Sequence, residues 1–262
     1  MLTEIKSKSF SNGTVYCLKT DDGYLIETTD TFLPYYTKDA IGRKQNKLDN
    51  YEMGSRLDRW MIGVSVMSGC PVRCKFCATG QMKKYRNLTA REIVDQVIFI
   101  LKKNPEFDPK NSKEFKINMT RMGEPYLNLD EVKKAIKTLR LSFSNIHCFI
   151  STIGIKGSDF SWIEGNITLQ ISLHSMNEIR RNELIPYKNK MTIEELGNIR
   201  TNSNLKTTLN CTLVDSDDWD IEVLKKNFNK DKFFIKLSPI NPNEVSDKDN
   251  LGNGLIKEIN LL

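Results

Sequence analysis

The chain has 262 residues, 39 % of them hydrophobic and 27 % charged, with a formal net charge of +6 at pH 7. This is the make-up of a globular protein, and six scattered cysteines over this length do not describe a disulfide scaffold. No stretch reaches the ~18 apolar residues of a spanning helix, and the opening Met1-Leu-Thr-Glu-Ile-Lys-Ser-Lys8 has no signal-peptide run, so a cytoplasmic protein without a membrane partner is expected.

Residues 1–60 form an expected N-terminal extension. Ser9–Leu18 and Tyr24–Thr28 flank Thr20-Asp-Asp-Gly23, which predicts a β-hairpin turning on Asp-Gly. Asp30–Arg59 is polar and rich in charge, and reads as irregular or partly helical. From Met61 onward β-branched runs alternate with amphipathic ones. Strands are predicted at Met61–Met67, Phe115–Asn118, His147–Ser151, Ile167–Leu173, Leu205–Val214 and Phe233–Ser238. Thr89-Ala-Arg-Glu92 is a capping box, after which Ile93, Val97, Ile100 and Leu101 keep helical spacing. Leu129–Leu141 repeats the pattern, and shorter helices are predicted at Asn177–Leu184, Ile193–Arg200 and Trp219–Phe228. Six strands with helices between them imply a parallel sheet with right-handed crossovers. There is no dinucleotide fingerprint. The predicted fold class is therefore α/β, a partial (βα)6 TIM-like barrel over 61–245, with the hairpin extension before it and a helical tail at 246–262. Barrels of this kind place their chemistry at the C-terminal ends of the strands.

The loop after the first barrel strand holds Gly69-Cys-Pro-Val-Arg-Cys-Lys-Phe-Cys-Ala-Thr-Gly80. Its spacing is C-x3-C-x2-C, with no fourth cysteine nearby. An ordinary four-iron cubane takes four thiolates, so three leave one iron open to an outside ligand. Zinc, the competing reading, prefers paired C-x2-C or paired histidines. His147 and His174 are the chain's two histidines, far downstream and unpaired. Cys17, Cys148 and Cys211 fall in apolar runs, where a free cysteine packs as a small hydrophobe.

Further motifs follow in order: Arg86-Asn-Leu-Thr89, Met122-Gly-Glu-Pro-Tyr-Leu-Asn-Leu129, Ile150-Ser-Thr-Ile-Gly154, Ile171-Ser-Leu-His-Ser175, Ile185-Pro186 and Ser238-Pro-Ile-Asn-Pro242. With the cysteine loop, their order and spacing resemble one branch of the radical S-adenosylmethionine (SAM) enzymes. These are the adenine methyl synthases acting on ribosomal and transfer RNA, together with the chloramphenicol–florfenicol resistance methylase. The likeness covers nearly the whole chain. It implies a [4Fe-4S] cluster on Cys70, Cys74 and Cys77, with SAM on the open iron, and a flavodoxin- or ferredoxin-like electron donor. It also implies a SAM site built from Gly123, Glu124, Ser151, Ser172, His174 and Asn241.

The residues have their own physical readings. Glycine at 123 lets the backbone approach closely, and the Glu124 carboxylate can pair with an ammonium; a solvated turn is the plainer alternative. Ser172 and His174 are two apart on a predicted strand and so share a face, toward the ligand if that face is the lumen. A histidine satisfied by a backbone carbonyl competes with that. Ser151 and Asn241, without the resemblance, are ordinary polar loop residues. Lys83, Lys84, Tyr85 and Arg86, with Arg180, Arg181, Lys188 and Lys190, offer a phosphate-contacting rim or a solvated surface.

Two departures stand out. The family's methyl relay uses a cysteine seven residues ahead of the first cluster cysteine, and here that position is Gly63. No cysteine follows Asn241, where the methyl-carrying one would lie, and no helical RNA-binding domain precedes the hairpin. A relay needs a nucleophile, so that mechanism is not expected in its known form. The expected function is reductive cleavage of SAM to a 5′-deoxyadenosyl radical that abstracts hydrogen from an unidentified substrate. RNA adenine methylation without the usual thiols, and a non-catalytic cluster- and SAM-binding protein, are the alternatives.

Overall fold

The computed structural model describes residues 2–35, 53–212 and 218–238, with 240, 244, 246 and 251. The chain divides into two compact units, one of residues 1–66, 88–121 and 130–148, the other of 67–87, 122–129 and 149–262. The long β8 strand, Ile146–Thr152, starts in the first and ends in the second.

In the first unit β1 (Thr3–Phe10), β2 (Gly13–Lys19), β3 (Leu25–Leu33), β4 (Arg59–Gly63), β7 (Glu114–Met119) and the start of β8 lie in that order. The first four are antiparallel, and β4 runs parallel to β7 from Arg59↔Glu114 to Gly63↔Asn118. Here the predicted hairpin is corrected. Ser9–Leu18 is not one strand but the end of β1, a turn and most of β2. Ser11-Asn12 makes that turn, and a side chain at Gly13, the first residue of β2, would put Cβ 2.0 Å from the Asp30 carbonyl. The expected turn after Lys19 does form, with Gly23 at φ +88°. Of the segment predicted to be irregular, Asp30–Leu33 continues β3, and residues 36–52 lie outside those described. Helix α1 (Ala90–Lys103) begins at the predicted capping box: Thr89 Oγ1 accepts from Glu92 N–H at 3.2 Å, and Glu92 Oε2 accepts from Thr89 N–H at 2.9 Å. It buries Ile93, Val97 and Ile100; α2 (Leu129–Ser142) buries Val132, Ile136 and Leu139. Trp60, Ile62, Phe115 and Ile117 are buried from the strands.

In the second unit the end of β8 is followed by β9 (Ile167–Ser172), β10 (Thr207–Thr212) and β11 (Phe233–Ser238), with β9–β10 and β10–β11 parallel. The short strands β5 (Met67–Ser68) and β6 (Arg86–Asn87) pair at the base of the cysteine loop, so Met61–Met67 is not the single strand predicted. Helices α3 (Glu178–Leu184), α4 (Ile193–Gly197) and α5 (Ile221–Asn227) fill the crossovers around β10. The β8–β9 crossover breaks the predicted alternation. Residues 153–166 contain no helix and are fastened by the bridges Ile155↔Lys190 and Glu164↔Asn202. Among the described residues no helix is long and apolar enough to cross a membrane.

Candidate functional site

The cysteine loop turns sharply where side chains are small or strained. Gly69 sits at φ +70°, where a Cβ would meet the Lys84 carbonyl at 2.7 Å, and Arg73 takes φ 57°. Gly80 packs against Arg73, whose Cα would lie 2.8 Å from an added Cβ. Backbone bonds from Cys77 N–H to Cys74 O and from Gly80 N–H to Cys77 O, each 3.1 Å, close the turns. Lys75 N–H donates to Leu184 O at 3.0 Å, tying the loop to the end of α3.

Cys70, Cys74 and Cys77 are free and partly exposed. Burial pushes the Cys70 thiol up to about 12, with the charges of Glu124 and Cys77 adding to it. Cys74 is pushed well up too, first by burial and then by Cys77, Cys70 and Glu124. The three thiols thus stand within electrostatic reach of one another. Among the described residues no three His, Cys, Asp or Glu side chains come close enough to hold one metal ion. A cubane asks for something else, since each thiolate takes a different iron. A cluster takes its cysteines as thiolates, so iron binding here would release their protons.

Gly123, at φ +103°, leaves room for Met67, whose Cβ would stand 2.6 Å from an added side chain. Glu124 is 3 % exposed, and its oxygens accept from Tyr126 N–H at 3.1 Å and Ile153 N–H at 3.0 Å. The Thr152 hydroxyl also bonds it. Burial outweighs these bonds and raises the carboxyl to about 7. Glu124 is therefore no solvated turn residue. It is a fixed, nearly dry carboxyl that an incoming cation would ionise.

Ser151 and Ser172, on adjacent strands, bring their hydroxyls to 3.3 Å. His174 is not the next residue on that strand face, and the expectation of a shared face with Ser172 is corrected. The strand ends at Ser172, and His174 turns into the left-handed region at φ 62°. Its Nδ1 accepts from Thr212 N–H at 3.2 Å, and its ring meets Phe76 of the cysteine loop edge-on at 4.7 Å. Burial, then the Arg181 charge, lowers it to about 3, so the imidazole is neutral with its proton on Nε2. Asn241 lies outside the described residues.

Sequence reasoning missed Asn210, which pairs with Ser172 across β9–β10 and is half-buried beside it. Its amide nitrogen reaches Gln170 Oε1 at 3.4 Å, while its buried Oδ1 has no partner. Polar residues recurring at every second strand position were the available signal. With Ser151 and Ser172, this orphaned acceptor makes a polar strand face suited to a ligand bearing hydroxyl or amine donors. The predicted cationic rim is only partly a surface. Lys83, Lys84, Tyr85 and Lys188 are exposed, but Arg181 and Lys190 are buried. Arg180 pairs with Glu183 at 2.9 Å and with Asp218 at 3.7 Å. Gly63, in the first unit, is backed by Thr29 and Arg121: a Cβ there would lie 2.4 Å from Thr29 Oγ1 and 2.9 Å from Arg121 Cδ.

A family profile described as "Radical SAM superfamily" matches residues 64–226. A probable dual-specificity RNA methyltransferase RlmN of Chlorobium phaeobacteroides is 36 % identical over 178 residues, covering 65 % of this chain and 49 % of that protein. The protein of that name from Pseudothermotoga lettingae is 36 % identical over 193 residues, 68 % of this chain and 54 % of its own. The chain thus spans about half the length of the curated relatives it matches. The crystal structure of a radical SAM methyltransferase from Sphaerobacter thermophilus superposes with a TM-score of 0.73 at 25 % identity, covering 99 % of this chain and 72 % of that one. The α/β fold of the radical SAM type, with antiparallel N-terminal strands ahead of a parallel sheet, is the fold of this chain. A matched profile that spans the cysteine loop, Glu124 and the polar strand ends places the chain in the Radical SAM superfamily of enzymes.

Proposed function

We propose that the chain binds a [4Fe-4S] cluster through Cys70, Cys74 and Cys77 and S-adenosylmethionine at the cluster's open iron, and cleaves it reductively to begin hydrogen abstraction from a substrate. The observation that carries this is one loop bearing three free cysteines, together with a buried Glu124 carboxyl that backbone N–H groups hold in place. When bound, the reduced cluster supplies the electron that splits the sulfonium, drawn from a flavodoxin- or ferredoxin-like donor.

The chain's own residues bind and orient. Glu124, preset by two backbone N–H groups, gives the ammonium of the methionine moiety a fixed counterion. The neutral His174 offers Nε2–H as a donor, because Thr212 N–H already occupies Nδ1. The Ser151–Ser172 hydroxyl pair serves the ligand's ribose or carboxylate, and the open Asn210 oxygen accepts from a ribose hydroxyl. Asn241 joins them through the resemblance alone.

RNA as substrate is a second reading, supported by the names of the relatives and by exposed Lys83 and Lys84 beside the cysteine loop. Gly63 carries no thiol, and the space a side chain would need is taken, so methylation through a relay cysteine at that position is not part of it. Anaerobically reconstituted, dithionite-reduced protein incubated with SAM, alone and with ribosomal or transfer RNA, tests both readings. 5′-Deoxyadenosine and methionine are the expected products, and their absence throughout overturns the first reading. Cleavage with no label passing from methyl-labelled SAM to RNA overturns methylation.

A further inference from the structure

Two buried cations of the second unit bond only neutral oxygens among the described residues. Arg181, in α3, is 0 % exposed and Lys190 7 %. The Arg181 guanidinium donates to the Met191 and Ile153 carbonyls, each at 2.7 Å, and its Nε has no partner. Lys190 donates to Asn182 Oδ1 and, at 3.3 Å, to Tyr187 O. Among the described residues neither forms an ion pair. Glu178, whose charge both feel, gives its Oε2 to Ile193 N–H at 2.9 Å. Neutral oxygens answer most of the donors but leave Arg181 Nε bare, and Glu178, whose charge both cations feel, hydrogen-bonds neither of them; a buried charge so weakly answered is unfavourable.

What both cations feel besides Glu178 is Cys74. The connection is structural as well as electrostatic. The loop carrying Cys74 is fastened to α3 by Lys75 N–H to Leu184 O at 3.0 Å, and Arg181 lies one helical turn before Leu184. Three thiolates ligating iron would bring further negative charge to this loop.

We infer that Arg181, reinforced by Lys190, is the built-in countercharge of the iron–sulfur cluster and sets how readily that cluster accepts an electron. The inference rests on the proposed cluster site. One electron passes from a low-potential one-electron donor, which is oxidised, to the cluster, which becomes more negative by one charge. No bond to the protein forms or breaks. A fixed cation nearby favours the reduced state, and a low local dielectric strengthens the effect. Arg181 acts through the cluster rather than on substrate, and is a positioning residue.

The test is the cluster's midpoint potential, read by an EPR-monitored redox titration of the reconstituted full chain. Arg181→Met, with iron content equal to wild type, is expected to make reduction about tenfold less favourable, a downward move of about 59 mV for a one-electron couple. Arg181→Lys keeps the charge and is expected to stay near wild type. Lys190→Gln is expected to move the potential the same way by less. A loaded Arg181→Met protein with the wild-type potential overturns the inference and leaves the cluster site standing. Should Arg181→Met fail to fold, Lys190→Gln decides: an unmoved potential there overturns the inference. Failure of the wild type to take up iron and sulfide overturns both.

Discussion

Two buried charges in this molecule are handled in opposite ways. Asp30, in the first unit, is 1 % exposed and fully answered. Arg56 reaches it through Nε at 3.2 Å and Nη2 at 2.5 Å, Trp60 Nε1 donates at 2.7 Å, and Asn104 Nδ2 at 3.1 Å. The guanidinium itself lies over Phe32 and Phe107, at 5.0 and 5.3 Å from the ring centres. Arg181, in the second unit, is equally buried and, among the described residues, hydrogen-bonds only carbonyl oxygens. The first arrangement is closed: every strong group has its partner, and the network belongs to the scaffold. The second is open. A buried cation that bonds only neutral oxygens, on a helix tied to the cysteine loop, can be met by further negative charge there.

Breaking the open site at its source has the largest expected effect. Cys74→Ala removes one of three ligands and leaves no protein group to take its place, so cluster content and 5′-deoxyadenosine formation are expected to fall to background. Iron and sulfide analysis beside product detection checks this, and an iron-loaded, active Cys74→Ala protein would show that the loop is not the cluster's seat. Asp30→Ala breaks the closed site instead. It strands Arg56 and orphans Trp60 Nε1, and is expected to destabilise folding by about 3 kcal/mol. This is the low end of such effects because the Arg56 side chain is 17 % exposed. Urea denaturation measures it, and cluster uptake by the folded fraction is expected to be unchanged.

Glu124 lies between these extremes, a buried acid with hydrogen bonds but no cation. Its carboxyl moves from an ordinary 4.5 to about 7 in the fold. Between those values the folded state holds a proton that the unfolded state has released, so stability falls as pH rises through the window. Above it the loss is complete, about 3 kcal/mol. Buried His174 and half-buried His147, lowered to about 3 and about 4, pull the opposite way below their ordinary 6.5. The measurable quantity is therefore the difference between wild type and Glu124→Gln. That variant is expected to gain stability over wild type from pH 5 to pH 8 in metal-free protein, while weakening SAM binding. A constant difference across that range would mean that Glu124 is ionised throughout and that its hydrogen bonds outweigh burial.

How much of this was readable beforehand depends on whether the cause is local. The capping box at Thr89, the helix faces of α1 and α2, and the strand Phe233–Ser238 follow from spacing alone, and the structure has them. The Ser11-Asn12 turn was missed because the alternation predicts a strand straight through Ser9–Leu18. His174 failed for a physical reason. Period-two logic assumes extended backbone, and two residues past Ile171–Ser172 the chain turns left-handed to give Nδ1 to Thr212. Arg181 was misread because Arg180-Arg181 on a short polar helix looks like a solvated pair. Only packing reveals that one arginine faces Glu183 and the surface while its neighbour is sealed inside. Asn210 needed its cross-strand partner, Ser172, before its open oxygen meant anything.

The comparison sharpens most at its smallest expected effect. In metal-free protein Arg181→Met removes two hydrogen bonds and leaves the Met191 and Ile153 carbonyls to find water or go without, which is unfavourable by roughly 1–3 kcal/mol per buried group. The same change removes an uncompensated charge from the interior, which is favourable. The two oppose each other, so the net loss is expected to be about 1–2 kcal/mol, less than for Asp30→Ala. Loading the cluster should then widen the gap between wild type and Arg181→Met, since only the wild type pairs the incoming negative charge with a buried cation. Urea denaturation of both proteins, with and without reconstituted cluster under anaerobic conditions, reads the four values. Equal gaps in the two states would make Arg181 a plain structural staple, as much part of the scaffold as Arg56, and erase the distinction between the closed site and the open one.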